Sequence, residues 1–296
     1  MESKAHSYQG RVLGNWEVQR PLGEGAFGAV YEARHLRIVN RFAAVKILHR
    51  QKALDPEIRQ RFFNEASAAS SAQHPNIIEV FDVGETSDGL AFVVMELLRG
   101  QRLADLIRAQ ALGARRAALL CAQVADALHA AHRAGVVHRD LKPDNIYVVN
   151  RESGEHVKVL DFGIAKLWNN PTVTATNVMM GTPPYMAPEQ WRTEPDIDGR
   201  ADIYALGAIL CECLTGAPPF SATNQFGYLD AHLHQAPPDP RSRARVPDGL
   251  ATLTLQLLAK DRAARPRDME QVAALLRQEA TALTRDGIEP PAYPAL

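Results

Sequence analysis

Cysteine is scarce in this chain. Cys121, Cys211 and Cys213 are its three cysteines, each inside an apolar helical pattern and none at metal-ligand spacing. That count argues against a disulfide framework or a zinc site, and points to core thiols of a reducing compartment. Lysine is scarce as well, at seven residues against twenty-six arginines. A lysine inside a motif therefore carries information, because a compact ammonium and a guanidinium fork do different chemistry. An excess of charge is missing: 33 basic and 34 acidic residues leave a net charge of -1. Nothing in that balance favours nucleic acid or an acidic membrane surface as partner. Long hydrophobic runs are absent too. The longest, Ile203 to Cys211, is closed by Glu212 and is too short to span a bilayer. Met1-Glu2-Ser3-Lys4 opens no signal segment. The expected location is cytoplasmic with no membrane contact within the chain, although a longer parent protein could be anchored. A G-x-x-x-x-G-K-[ST] phosphate loop does not occur.

The length, 296 residues, suggests about two domains, each able to bury its own core. After a polar leader the pattern alternates from Trp16 and runs into Leu22-Gly23-Glu24-Gly25-Ala26-Phe27-Gly28-Ala29-Val30. G-x-G-x-x-G alone is a weak signal, since glycines also simply mark turns. A dinucleotide fold needs a helix next, yet Ala29 to Arg34 alternates as a strand. A strand, a glycine loop and a strand instead form a hairpin. Phe42 to Leu48 is an apolar strand with one charge, Lys46. A lysine there needs a carboxylate, and the helical pattern from Pro56 to Ser71, with Phe62, Ala66 and Ala69 on one face, offers Glu57 and Glu65, either of which could instead be a solvated helix charge. An Ala-rich helix from Ala114 to Ala134 carries Leu120, Val124 and Leu128 on one face and stops at Gly135. His129 and His132 are three apart on it, but no third ligand is in view, so they read as core or surface histidines.

Next comes Val137-His138-Arg139-Asp140-Leu141-Lys142-Pro143-Asp144-Asn145, with Asp161-Phe162-Gly163 sixteen residues after Asn145. Lys-Pro-Asp-Asn is good turn chemistry, which explains any one of these residues but not the set. An acid, a lysine, an amide and a second acid at fixed offsets suit phosphoryl transfer. One carboxylate accepts a hydroxyl proton, the lysine sits by the transferred phosphate, and the amide and second acid hold Mg²⁺.

These residues resemble the catalytic loop of eukaryotic-type protein kinases, most closely the bacterial, Hanks-type serine/threonine branch, and the resemblance covers residues 16 to about 279. It implies an α+β, bilobal fold: a small antiparallel-sheet N-lobe with one helix and a larger, mainly helical C-lobe. The boundaries it implies are a leader at 1–15, N-lobe 16–96, hinge 97–100, C-lobe 101–279 and a tail or linker at 280–296. Asp140 would be the catalytic acceptor of the proton, with Lys142 by the γ-phosphate, Asn145 and Asp161 as metal ligands, and Glu65 as the partner of Lys46. ATP would be held by Leu22, Gly23, Glu24, Gly25, Gly28, Val30, Ala44, Lys46, Met95, Leu160 and backbone groups of Glu96 and Leu98. Tyr147 departs from the Leu or Met that relatives often place under the adenine. Mg²⁺ is the implied metal, with Mn²⁺ as a possible substitute.

The Thr-rich segment before Ala187-Pro188-Glu189 resembles an activation loop, with Thr172, Thr174 and Thr176 as expected autophosphorylation sites and Arg139 as partner for a phosphate. Autophosphorylation in trans would need self-association. Thr182 is expected to bond Asp140 and Lys142, Asp202 to cap the loop backbone, Arg265 to pair with Glu189, and His138 to stack under Phe162. Trp191 is unusual for the family. Leu141-Lys142-Pro143 is the serine/threonine form of the loop, so the implied partners are proteins with Ser or Thr acceptors. A nucleotide-binding pseudokinase scaffold is the alternative, against which Lys46, Asp140, Asn145 and Asp161 all stand. A small-molecule phosphotransferase should lack the Ala187-Pro188-Glu189 segment and the Thr-rich loop.

Overall fold

The computed structural model describes residues 8–110, 112–162 and 182–285. Its internal contacts divide the chain into two units: residues 1–73 with 78–99, and residues 74–77 with 100–296.

The first unit is built on six antiparallel strands: β1 (Val12–Leu13), β2 (Trp16–Glu24), β3 (Gly28–His35), β4 (Phe42–Leu48), β5 (Val80–Glu85) and β6 (Ala91–Met95), in the order β1-β2-β3-β4-β6-β5. Alternation decides its two faces. One buries Leu13, Trp16, Val18, Tyr31, Val45 and Phe92. The other packs Leu48, Phe62, Ala66, Ala91 and Val93. Phe62 and Ala66 come from α2 (Pro56–Ala72), which a single helical turn, α1 (Arg50–Ala53), precedes. The α2 start is chemically marked: Asp55 accepts the N–H groups of Glu57 and Ile58, and Pro56 takes the first position, where no N–H is needed. Removing such a cap costs about 1 kcal/mol.

The second unit carries a three-stranded sheet, β7 (Gly100–Arg102), β8 (Ile146–Arg151) and β9 (Gly154–Val159), in that order. Its helices are α3 (Leu103–Arg108), α4 (Ala114–Arg133), α5 (Pro188–Trp191), α6 (Arg200–Thr215), α7 (Gln225–His234), α8 (Asp248–Leu257) and α9 (Met269–Arg285). The α6 helix is buried nearly all round and is the unit's axis. At Gly207 a β-carbon would stand 2.6 Å from Leu257 Cβ, so the approach of α8 to α6 depends on that missing side chain.

Three sequence-derived boundaries shift. Part of the 1–15 leader belongs to the fold: Leu13 is wholly buried and β1 pairs with β2, a two-residue strand too short to show a period. Residues 74–77, expected in the N-lobe, cluster with the second unit, because Asn76 donates Nδ2–H to Val157 O (2.8 Å) and Gln123 Oε1 (3.1 Å). The last helix runs to Arg285, past the expected C-lobe boundary at 279, so the first part of the expected tail is helical. Ala280 is buried, and Thr284 Oγ1 accepts a hydrogen bond from Arg115 Nε at 2.8 Å. Among the described residues no helix is long and apolar enough to cross a membrane. Cys121, Cys211 and Cys213 are buried free thiols.

Candidate active site

In the first unit, cross-strand register collects side chains on one face of the sheet. Val30 pairs with Lys46, and Ala44 with Met95. Directly opposed residues share a face and positions 44 and 46 alternate onto the same side, so Val30, Ala44, Lys46 and Met95 form one surface. Lys46 Nζ lies 3.7 Å from Glu65 Oε2, with both side chains largely buried. Glu57 is engaged on its own helix, accepting from Arg61 Nη2 at 2.9 Å. The Glu96 N–H is donated to Glu79 O at 2.9 Å.

In the second unit, the loop from His138 to Asn145 is pinned from below by α6. Asp202 accepts the backbone N–H of His138 (Oδ2, 2.9 Å) and of Arg139 (Oδ1, 2.8 Å). Arg139 needs that grip. Its φ is 64°, in the left-handed region, where a residue with a β-carbon costs about 1–3 kcal/mol. Asp161, with φ 53°, is held in the same region. The Asp202 carboxylate is 1% exposed and also receives His132 Nε2 at 2.7 Å, so the proton of that imidazole sits on Nε2. Burial alone would push the Asp202 carboxyl up, but the His132 hydrogen bond, the histidine charges and the loop amide together hold it below the usual carboxylate value.

A lowered folded pKa has one sign of consequence. The ionised Asp202 stabilises the fold in full above the unfolded value, about 3.9, and this contribution is lost as pH falls through the lower folded value. Circular dichroism during acid titration is expected to show a wild-type unfolding limb below about pH 4 that is flattened in Asp202→Asn. An unchanged limb would remove Asp202 from the account of acid stability.

His138 joins the loop to the segment before Asp161. Its Nε2–H donates to Leu160 O at 2.9 Å, and its ring lies 4.9 Å from that of Phe162. The Leu160 N–H donates to Asn145 O at 2.8 Å. The Asn145 Nδ2–H donates to Asp140 O at 3.2 Å, so its amide oxygen is the atom it can offer a cation. Tyr147, on β8, accepts a long hydrogen bond from Arg102 Nε at 3.4 Å, and the guanidinium stacks over its ring.

Asp140 stands between two donors. Lys142 Nζ reaches its Oδ2 at 3.1 Å, and Thr182 Oγ1–H donates to its Oδ1 at 2.9 Å. Lys142 Nζ also donates to Thr182 Oγ1 at 3.1 Å, which closes a triangle. A carboxylate offers about four acceptor sites; these bonds take two, leaving capacity for an incoming hydroxyl.

Thr182 is carried into the triangle by the turn at Pro183–Tyr185, anchored where the Tyr185 hydroxyl donates to Glu212 Oε2 at 2.7 Å. Burial pushes both of these groups up. The Arg139 carbonyl receives Gln190 Nε2 at 2.7 Å. Beneath lies a buried ion pair, Arg265 Nη1 to Glu189 Oε1 at 2.6 Å and Nη2 to Oε2 at 2.9 Å.

Asn145 and Asp161 offer an amide oxygen and one carboxylate. Among the described residues no group of three or more His, Cys, Asp or Glu gathers as a metal site. That donor set fits Mg²⁺, which is usually held by one or two carboxylates while phosphate oxygens and water fill its other positions. Thr172, Thr174 and Thr176 lie outside the described residues.

A family model described as "Protein kinase domain" matches residues 16–275. The chain belongs to the protein kinase family. The kinase domain is 39% identical over 280 residues to serine/threonine-protein kinase pkn3 of Myxococcus xanthus, covering 91% of this chain and 51% of that protein. It is 43% identical over 250 residues to Pkn1 of the same organism, covering 83% and 36%, and 37% identical over 269 residues to PknE of Mycobacterium bovis, covering 90% and 46%. The chain thus spans about half or less of the length of these relatives. ATP and a divalent metal in general go with the family.

Sequence reasoning did not find three supports of this kinase loop. His132 read as a core or surface histidine, although a carboxylate buried in an apolar helix calls for a charged or strongly polar donor. Gln190 left no signal, because a glutamine beside a motif is indistinguishable from a surface one. The Tyr185–Glu212 bond joins positions 27 residues apart that share no local pattern. Trp191, unexplained by sequence, is buried and stacks on His232 with ring centroids 6.1 Å apart.

Proposed function

We propose that this domain transfers the γ-phosphoryl group of ATP to Ser and Thr hydroxyls of proteins. One observation supports this most: the Asp140 carboxylate, fixed by Lys142 and Thr182, has acceptor capacity left for a substrate hydroxyl. In this reading Asp140 orients that hydroxyl and takes its proton, while Lys142 follows the charge that develops on the transferred group. Lys46, kept in place by Glu65, binds the α- and β-phosphates. The sheet surface with Val30, Ala44 and Met95 takes the base. Gly23, Glu24, Gly25 and Gly28 cover the phosphates, with Leu22 over the base and backbone groups of Glu96 and Leu98 on the adenine edge. Leu160 and Tyr147 are further base contacts. Asn145 and Asp161 hold Mg²⁺, or Mn²⁺ in its place, which when bound neutralises phosphate charge and orients the group for transfer. Autophosphorylation in trans at Thr172, Thr174 or Thr176, paired by Arg139, completes the reading, which takes the reaction to be cytoplasmic, where ATP is made.

Labelled ATP with a generic basic protein, followed by phosphoamino-acid analysis, tests the acceptor class. The expected label is on phosphoserine and phosphothreonine. Label confined to phosphotyrosine, or none at all, would sink the reading.

A further inference from the structure

The glycine loop is held by a residue outside its own motif. Residues 25–27 join β2 to β3, and the Gly25 N–H donates to Gly28 O at 2.9 Å to close the loop. Gly28 pairs with Leu48 at the end of β4, and its backbone is so close that a β-carbon there would stand 2.2 Å from Ile47 O. The next residue after that strand is His49. Its backbone N–H donates to Phe27 O at 2.9 Å, and its Nε2 lies 3.0 Å from Gly25 O. A carbonyl only accepts, so Nε2 carries the proton. The same Nε2 is 3.8 Å from Glu24 Oε1. Lys52, one turn further along α1, sets its ammonium 5.7 Å from the centre of the Phe27 ring.

His49 is also the residue that begins α1, a position whose side chain ordinarily accepts from the first helical amides. Here it makes no such bond. The imidazole serves the loop instead, and it is about one-third exposed (31%), so a core-packing role does not account for it.

We propose that His49 is a positioning residue, a latch that grips the carbonyls of Gly25 and Phe27 and presets the glycine loop for nucleotide phosphates. This rests on the reading of that loop as the phosphate cover. An unlatched loop must be ordered when the nucleotide binds, and that entropy is taken from affinity. One partly exposed hydrogen bond supports an effect of roughly three- to tenfold.

Three variants separate the hydrogen bond from shape. His49→Phe keeps a ring without a donor, His49→Gln places an N–H near the position of Nε2, and His49→Asn is too short to reach. Expected for His49→Phe and His49→Asn is a roughly three- to tenfold rise in KM for ATP, with kcat and the KM for peptide within about twofold. His49→Gln is expected to restore the wild-type KM. Independently of turnover, amide exchange at Gly25, Ala26 and Phe27 is expected to quicken by a similar factor in His49→Phe and to return in His49→Gln. Unchanged exchange in His49→Phe, or His49→Gln behaving like His49→Phe, overturns the latch. An inactive wild-type chain whose loop exchange still responds to these variants would count against the proposed activity and leave the latch standing.

Discussion

Asp140→Asn is expected to lower kcat by about a thousandfold while leaving nucleotide affinity within about threefold, since proton transfer by a positioned group contributes 10²–10⁴-fold. The substitution keeps shape and volume. Lys142 Nζ, 3.1 Å from Oδ2, and the Thr182 hydroxyl, 2.9 Å from Oδ1, both donate to Asp140. An amide offers one acceptor and one NH₂ group, so one of the two donors loses its partner or has to turn. Thr182 Oγ1 accepts one bond from Lys142 and has a second lone pair, so it can take the Asn NH₂ only by turning its own O–H away from position 140. The larger loss is chemical, because Asn cannot take a proton from the substrate hydroxyl. At about 1.4 kcal/mol per decade, a thousandfold corresponds to about 4 kcal/mol of barrier. Steady-state kinetics at saturating ATP, with nucleotide titration by calorimetry, reads both quantities. A variant as active as wild type would reduce Asp140 to a structural residue and revive the pseudokinase alternative.

Arg265→Leu is expected to destabilise the second unit by about 3–5 kcal/mol, among the largest effects open to a single substitution. The guanidinium is wholly buried and its partner carboxylate is 4% exposed. Removing the arginine leaves the Glu189 charge without its partner in a low-dielectric interior. It also strands the carbonyls of Ala259 and Arg200, each of which receives an Arg265 N–H at 2.8 Å. At about 2–4 °C per kcal/mol for a domain of this size, the melting temperature should fall by roughly 10 °C. Glu189→Leu with Arg265→Leu should cost less than the two single losses added together, because the double variant no longer buries an unpaired charge. Additive losses would mean that the pair contributes no coupling.

Much of the fold was legible in local pattern. The alternation from Ala29 to Arg34 appears as β3, and the Ala-rich stretch with Leu120, Val124 and Leu128 as α4. At the candidate site, the loop motif pointed to Asp140 and Lys142 and the family resemblance to Thr182, and these side chains meet in one triangle. Local pattern is blind to partners supplied from a distance. His132 bonds Asp202 across 70 positions, and its own neighbourhood on α4 holds nothing to suggest a carboxylate. Asn76 falls within the expected N-lobe range of 16–96, while its side chain is committed 81 positions away at Val157. His49 follows an apolar strand and opens a helical turn, so its bond to Gly25 could be found only once the β3–β4 register was known. In each case a polar side chain satisfies backbone or charge brought close by topology, and topology is not written in adjacent residues.

Phosphoryl transfer measured directly tests the central claim best. The wild-type chain and Asp140→Asn are each mixed with γ-labelled ATP, Mg²⁺ and a peptide whose only hydroxyl is a serine, and label in the peptide is followed through the first turnovers. The account expects label on the serine with wild type and about a thousandfold slower with the variant. A wild-type chain that binds ATP yet leaves the peptide unlabelled, or equal labelling by both chains, would contradict it.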